Sequence, residues 1–68
     1  MSNRIKRCEI TEVGYQNQVV VMYNDGSVEM IFKYYPDELA FHESEFVGLT
    51  KSEAMELFRL RDMAYLRS

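Results

Sequence analysis

The chain has 68 residues, of which 47% are hydrophobic and 28% are charged. A chain of this length has room for one hydrophobic core, so we expect a single domain over residues 1–68 rather than a disordered tail. Eleven acidic residues against eight basic ones give a formal charge of −3, which disfavours binding to duplex DNA or RNA.

Cysteine usage and hydropathy indicate the compartment. Cys8 is the sole cysteine, so an intrachain disulfide is excluded and a reducing, cytoplasmic environment is expected. The sequence has no apolar run near the roughly 20 residues of a membrane-spanning helix. The basic residues near the N-terminus are not followed by a signal-peptide core, so we expect no membrane association.

Three strands are predicted in the first half of the chain. Residues 4–13 alternate imperfectly between apolar and charged side chains, which is typical of an edge or half-buried strand. After polar residues 14–17, the β-branched and aromatic residues 18–23 predict a more buried strand. Asn24 to Ser27 then form a strong hairpin signal, because these residues tolerate positive φ between two apolar runs. The return strand extends over residues 28–35.

The third strand completes an antiparallel sheet whose hairpin spans residues 18–35. Because side chains alternate with period two, the apolar set on one side of this strand is expected to face the core: Val28, Met30, Phe32 and Tyr34. Pro36 cannot donate a ladder hydrogen bond and ends the strand. The acidic segment 37–45 is expected to form either an irregular turn or one turn of helix.

A C-terminal helix is predicted over residues 51–65. Thr50 and Glu53 have the spacing of a capping box, and Leu49 and Ala54 occupy the positions of a hydrophobic staple. The sequence therefore predicts an α+β fold in which a three-stranded antiparallel sheet packs against this helix.

The helix has more apolar residues than one packed face requires. Placed at about 100° per residue, one arc is expected to lie on the sheet: Ala54, Leu57, Phe58, Ala64 and Tyr65. Four further apolar residues fall outside that arc and are predicted to form an interface: Met55, Leu60, Met63 and Leu66. A three-stranded sheet covers one side of a helix, so we expect a protein partner or self-association into a homo-oligomer.

Arg61 lies within the predicted packed arc, where an uncompensated charge is unfavourable. Two interpretations are open. The guanidinium pairs with an acidic residue of segment 37–45 or extends to solvent, or it grips the phosphate or carboxylate of a ligand.

A nucleotide site is the alternative to a protein interface. Thr50 and Lys51 stand at a helix N-terminus, where backbone N–H groups favour anions, although helix capping explains them more simply and the glycines of a phosphate loop are missing. Aromatic faces could stack a base. The residues considered for such a site, completed between subunits, are Arg61, Thr50, Lys51, Tyr34 and Tyr65.

Catalysis, metals and cofactors are not expected. Cys8 and His42 could in principle form a nucleophile and base pair, but a mid-strand cysteine is usually buried and inert. His42, Glu43 and Glu45 do not match the spacing of a standard metal site. We therefore expect a protein that is not an enzyme and that needs no cofactor.

Two stretches of the second half, YYPDEL at residues 34–39 and FVGLT at 46–50, precede a helical segment ending in YLRS at 65–68. This half of the chain resembles a class of short bacteriophage and bacterial proteins. The resemblance implies a cytoplasmic protein, in the host cell if phage-encoded, that binds a host component such as a defence or regulatory protein stoichiometrically. Sequestration of a signalling nucleotide by a homo-oligomer is the alternative that it leaves open.

Overall fold

The computed structural model describes residues 3–67. In chain order the elements are β1 (Ile5–Val13), β2 (Gln16–Tyr23), β3 (Val28–Tyr34), a 3₁₀ turn (Glu43–Glu45) and α1 (Lys51–Arg67). The strands form an antiparallel sheet in the order β1-β2-β3. The predicted α+β fold, with a three-stranded antiparallel sheet and a C-terminal helix, is confirmed.

The β2–β3 hairpin forms where the sequence predicts it. The Gly26 N–H donates to the Tyr23 carbonyl at 2.9 Å, and the Tyr23 N–H donates to the Ser27 carbonyl at 2.8 Å. Gly26 has φ +89°, a conformation that glycine adopts without the steric cost of a Cβ. Asp25 Oδ1 accepts hydrogen bonds from the Ser27 N–H and hydroxyl, which fixes the turn locally.

A β-bulge in β3 changes the expected core face of that strand. Val19 pairs with Phe32 and Val20 pairs with Met30, so Ile31 is inserted without a partner. The bulge reverses the alternation on its N-terminal side. Phe32 and Tyr34 are buried as predicted, but Ile31 is buried too. The prediction was wrong for Val28 and Met30, which are 65% and 46% exposed.

The core lies between one face of the sheet and the segment that follows it. Residues 36–50 cross this face and contribute Leu39, Phe41 and Phe46, all buried. The Phe32 ring is the centre of an aromatic cluster, with its centroid 5.4 Å from that of Phe41 and 4.4 Å from that of Phe58. Such tilted ring pairs add to the free energy gained from burial.

The same segment protects the outer edge of β1. The Ile5 N–H donates to the Leu49 carbonyl at 2.7 Å, and the Ile5 carbonyl accepts from the Gly48 N–H at 2.8 Å. Further along the edge, the Ile10 N–H donates to Glu43 Oε2 at 2.6 Å. Backbone groups that an edge strand would otherwise expose are therefore paired at these positions.

Helix α1 begins at the predicted cap. The Thr50 N–H donates to Glu53 Oε1 at 2.9 Å, and the Glu53 N–H donates to Thr50 Oγ1 at 3.2 Å, so the capping box is confirmed. Arg4 Nη1 donates to the Gly48 carbonyl at 2.8 Å and to Glu53 Oε1 at 3.2 Å. These contacts fix the helix start against the beginning of β1.

The first half of α1 provides its packing on the core. Ala54 is fully buried, and Leu57 and Phe58 are half-buried against the core cluster. Ala64 and Tyr65 were predicted on the same packed arc, but both are exposed, Tyr65 to 43%. Seventeen helical residues extend about 25 Å, and the last four of them, residues 64–67, are all exposed. Within residues 3–67, no helix combines the length and apolarity needed to cross a membrane.

Candidate binding surfaces

Arg61 is held by groups of its own chain. Its Nη2 donates to Glu45 Oε1 at 2.8 Å, and its Nη1 donates to Glu45 Oε2 at 3.1 Å and to the Ala40 carbonyl at 2.8 Å. The guanidinium carbon lies 4.7 Å from the centroid of the Phe41 ring. The predicted ion pair with segment 37–45 is confirmed, and the guanidinium fork is used to dock the helix onto that segment.

Glu45 is the acceptor at the centre of this arrangement. Besides Arg61, it accepts a hydrogen bond from the His42 N–H through Oε2 at 2.7 Å. The Arg61 hydrogen bonds, followed by that of His42, lower the pKa of Glu45 from its ordinary value near 4.5 to about 2. Its carboxylate therefore stays ionised and paired at neutral pH.

Thr50 and Lys51 line a shallow concavity at the start of α1. Glu29 and Tyr23 belong to the same surface: Lys51 Nζ donates to Glu29 Oε2 at 3.0 Å, and the Tyr23 hydroxyl donates to Glu29 Oε1 at 2.7 Å. Both bonds lower the pKa of Glu29, that from Tyr23 most. The ionised Glu29 neutralises Lys51 and would repel an anionic ligand at this helix terminus.

The structure does not bring the five nucleotide-site candidates together. Lys51 and Arg61 are ten residues apart on one helix, which corresponds to about 15 Å. Tyr34 is buried, and its hydroxyl accepts a hydrogen bond from Asn17 Nδ2 at 3.3 Å. Tyr65 lies on the exposed last turns of the helix. A site that uses all of these residues would require more than one copy of the chain.

The predicted interface residues lie outside the packed arc of α1. Leu60 and Leu66 are 53% and 72% exposed, and Met55 is exposed as well. Met63 is half-buried, and its sulfur accepts a hydrogen bond from Arg59 Nη1 at 3.0 Å. At 100° per residue, Met55 and Leu66 are 20° apart, whereas Leu60 is on the opposite flank. The four residues therefore span about 140° of the helix circumference, with Met55 and Leu66 on one flank, Leu60 on the other and Met63 between them.

An apolar groove lies on the flank that contains Leu60. Its floor is formed by Leu49, Leu57 and Leu60, and we call it the helix groove. It is open to solvent and has a volume of about 490 Å³. The sequence places Leu49 in the hydrophobic staple and Leu57 on the packed arc of the helix, and so does not predict the groove. The spacing of Leu57 and Leu60, three residues apart on one helix flank, is the signal that could have revealed it.

The rim of the helix groove is acidic. It consists of Glu45, Glu53 and Glu56. Glu45 is engaged by Arg61, as described above, whereas Glu53 and Glu56 form exposed ion pairs with Arg4 and Arg59. Exposed pairs of this kind contribute little to stability. Glu56 can therefore exchange Arg59 for another cation, and Glu53 can exchange Arg4 while it keeps the hydrogen bond from the Thr50 N–H.

The side chains that the sequence offers for catalysis and metal binding have structural roles in this fold. Cys8 is buried, and its pKa is raised to about 11 by burial and, to a smaller extent, by the negative charge of Glu43. Such a thiol is protonated at neutral pH and unreactive. Among residues 3–67, no group of three His, Cys, Asp or Glu side chains is arranged to hold a metal ion.

Comparison of the chain with protein-family models, with curated proteins and with solved structures gave no match.

Proposed function

We propose that this domain acts by binding another protein through the helix groove, without catalysing a reaction. The observation that carries the proposal is the exposure of Leu60, at 53%, at the edge of an apolar floor on a helix that the sheet covers along its first half. An exposed apolar concavity rimmed by charged residues is typical of a protein interaction site.

The composition of the groove favours a partner of a particular chemistry. An apolar floor accepts aliphatic or aromatic side chains, and the carboxylates of Glu53 and Glu56 on its rim attract Lys or Arg. The partner segment therefore combines two or three apolar side chains with flanking basic residues, as an amphipathic helix does. The chain's formal charge of −3 favours encounter with such a basic surface.

The resemblance to short bacteriophage proteins supports a host protein as the partner. The resemblance implies that this chain occupies a component of a defence or regulatory system in a fixed ratio. A groove on one flank of a helix suits this mode of action, because a one-to-one complex can block the surface that the host protein needs. We therefore propose a stoichiometric inhibitor or accessory protein that acts in the cytoplasm of a bacterial cell.

Site-specific photocrosslinking tests the proposal. A photoreactive amino acid is placed at Leu60 in the groove or, as a matched control, at Tyr15, which is 93% exposed on the β1–β2 turn. In a bacterial lysate, the Leu60 probe should yield one dominant crosslinked protein that the Tyr15 probe does not. Equal crosslinking from both positions, or none from Leu60, would count against the groove as the binding site.

The crosslinked partner is then purified and titrated by calorimetry. Leu60→Glu should weaken binding at least about tenfold, because a carboxylate replaces a buried contact next to an acidic rim. A panel of cyclic and linear nucleotides is tested in parallel by thermal melting. A melting temperature that rises with nucleotide would favour the nucleotide-binding alternative, since a ligand that binds the native state stabilises it.

A further inference from the structure

The face of the sheet opposite the helix has an exposed apolar centre. It consists of four side chains, which we call the outer quartet: Val20, Met22, Val28 and Met30. Val28 and Met30 are exposed on β3, and Val20 and Met22 are half-buried on β2. This surface is independent of the helix groove.

The strand register arranges this face in two adjacent rows of opposite charge. Arg7 pairs with Met22, which pairs with Val28, and this makes the first row. In the second row, Glu9 pairs with Val20, which pairs with Met30. Each row therefore has two apolar residues and one charged residue, and both charged residues are on β1.

We propose that a second copy of this chain packs face to face on the outer quartet. The two copies are related by a two-fold axis that is perpendicular to the strands and passes between the two rows. Such an axis places each row over the other row of the second copy. Arg7 then lies opposite Glu9 of the second copy, and the apolar residues of the two quartets meet. Stacked sheets are about 10 Å apart, a gap that an arginine and a glutamate can bridge from opposite sides.

Charge complementarity selects this arrangement over the other face-to-face possibility. A two-fold axis parallel to the strands would place β1 over β3, so that Arg7 and Glu9 would lie against Val28 and Met30 of the second copy. Both charges would then lose water without gaining a partner, which is unfavourable. The axis across the strands instead pairs both charges, twice in each dimer.

The same two-fold rotation brings a second pair of opposite charges, Lys33 and Asp25 of the second copy, toward each other. Lys33 lies one row beyond Met30 on β3, paired with Gln18. The rotation that exchanges the two rows brings it toward the hairpin turn of the second copy, which carries Asp25. The hydrogen bonds from Ser27 lower the pKa of Asp25 and keep it ionised. The helix groove stays open on both outer sides of such a dimer.

The size of the face determines how strong the dimer can be. Seven residues along the strands and three strands across give about 23 Å by 14 Å, which is small for a stable interface. We therefore expect a reversible dimer that forms in the micromolar to millimolar range. Sedimentation velocity over a concentration series that reaches millimolar protein should show a monomer–dimer equilibrium. A monomer at every concentration would overturn the proposal.

Charge reversal tests the orientation. Arg7→Glu and Glu9→Arg should each weaken dimerisation at least about tenfold, because each places like charges opposite one another twice. The double variant, Arg7→Glu with Glu9→Arg, should restore dimerisation, since it exchanges the two charges and keeps their complementarity. Arg67→Glu makes the same charge change as Arg7→Glu, at the far end of α1, and should leave dimerisation unaltered.

All variants are compared after circular dichroism and thermal melting have shown a native fold. Single variants that dimerise as strongly as the parent chain would overturn the proposal, and so would a double variant that stays as weak as either single one. A dimer that is weakened equally by Arg67→Glu would also contradict it, because the effect would then follow net charge and not position on the sheet.

Discussion

Arg61 and Glu45 join the exposed half of the helix to the segment that covers the core, through two hydrogen bonds of 2.8 and 3.1 Å. Arg61 donates to the Ala40 carbonyl as well. Its removal would leave the half-buried Glu45 carboxylate without these hydrogen bonds and would detach the helix from the exposed Ala40 carbonyl, so the pair has structural consequences that can be measured.

Arg61→Ala should lower the free energy of unfolding by about 1.5–3 kcal/mol, the range for hydrogen bonds to charged groups. Urea denaturation measures the change. Arg59→Ala is the matched control on the same helix. It removes the exposed pair with Glu56 and should lower stability much less than Arg61→Ala, because solvent screens exposed pairs. Equal effects of the two substitutions would show that the Arg61 contacts do not stabilise the fold.

Protonation of the Glu45 carboxylate is expected to lower the stability of the fold at acidic pH. Its pKa in the folded chain is about 2, below the ordinary value near 4.5. The stabilisation is fully present above the ordinary pKa and is lost as the pH falls from about 4.5 toward 2. Glu45→Gln should therefore destabilise the protein by about 1–2 kcal/mol at neutral pH. The difference should shrink at acidic pH, and a difference that is constant with pH would contradict the pairing.

Ionisation of two buried side chains, Tyr23 and Cys8, is expected to lower the stability of the fold at alkaline pH. Burial, followed by the hydrogen bond to Glu29, raises the pKa of Tyr23 to about 12, and burial raises that of Cys8 to about 11. Both groups fold in the neutral form, so stability is complete below their ordinary pKa values and declines as the pH rises through 9 and above. Urea unfolding between pH 8 and 11 measures the slope. The double variant Tyr23→Phe with Cys8→Ala should flatten it; an unchanged slope would assign the decline to other groups.

The capping box of α1 can be tested by a single hydroxyl. Thr50→Ala removes the Oγ1 acceptor of the Glu53 N–H and should destabilise the chain by about 1 kcal/mol. Ser52→Ala, an exposed position in the first turn, is the control and should change stability by less than about 0.5 kcal/mol. The two variants are compared by thermal and urea denaturation. Similar losses from both would point to a general effect of the first turn.

Much of the fold could be predicted because its signals are local. Asn24 to Ser27 specify the hairpin through backbone conformations available to few residues. Thr50 and Glu53 specify the helix start through two reciprocal hydrogen bonds. Each signal depends on residues within a few positions of one another, so it can be recognised without the tertiary structure.

The remaining features depend on contacts between distant residues. Ile31 marks the bulge, and no glycine or proline nearby signals it, so the core face of β3 was assigned by simple alternation. Phe41 and Phe46 fill the core from a segment whose acidic composition and irregular spacing conceal them. The burial of Tyr65 was predicted from helical periodicity, which gives the direction of a side chain but not how far the sheet extends beneath it.

The contacts of Arg4 with Gly48 and Glu53 span 44 and 49 positions of the chain. Closing a loop of that length costs conformational entropy before the contacts can offset it. We therefore expect the contacts between the first strand and the helix start to form later in folding than the hairpin, whose turn residues are neighbours in the chain.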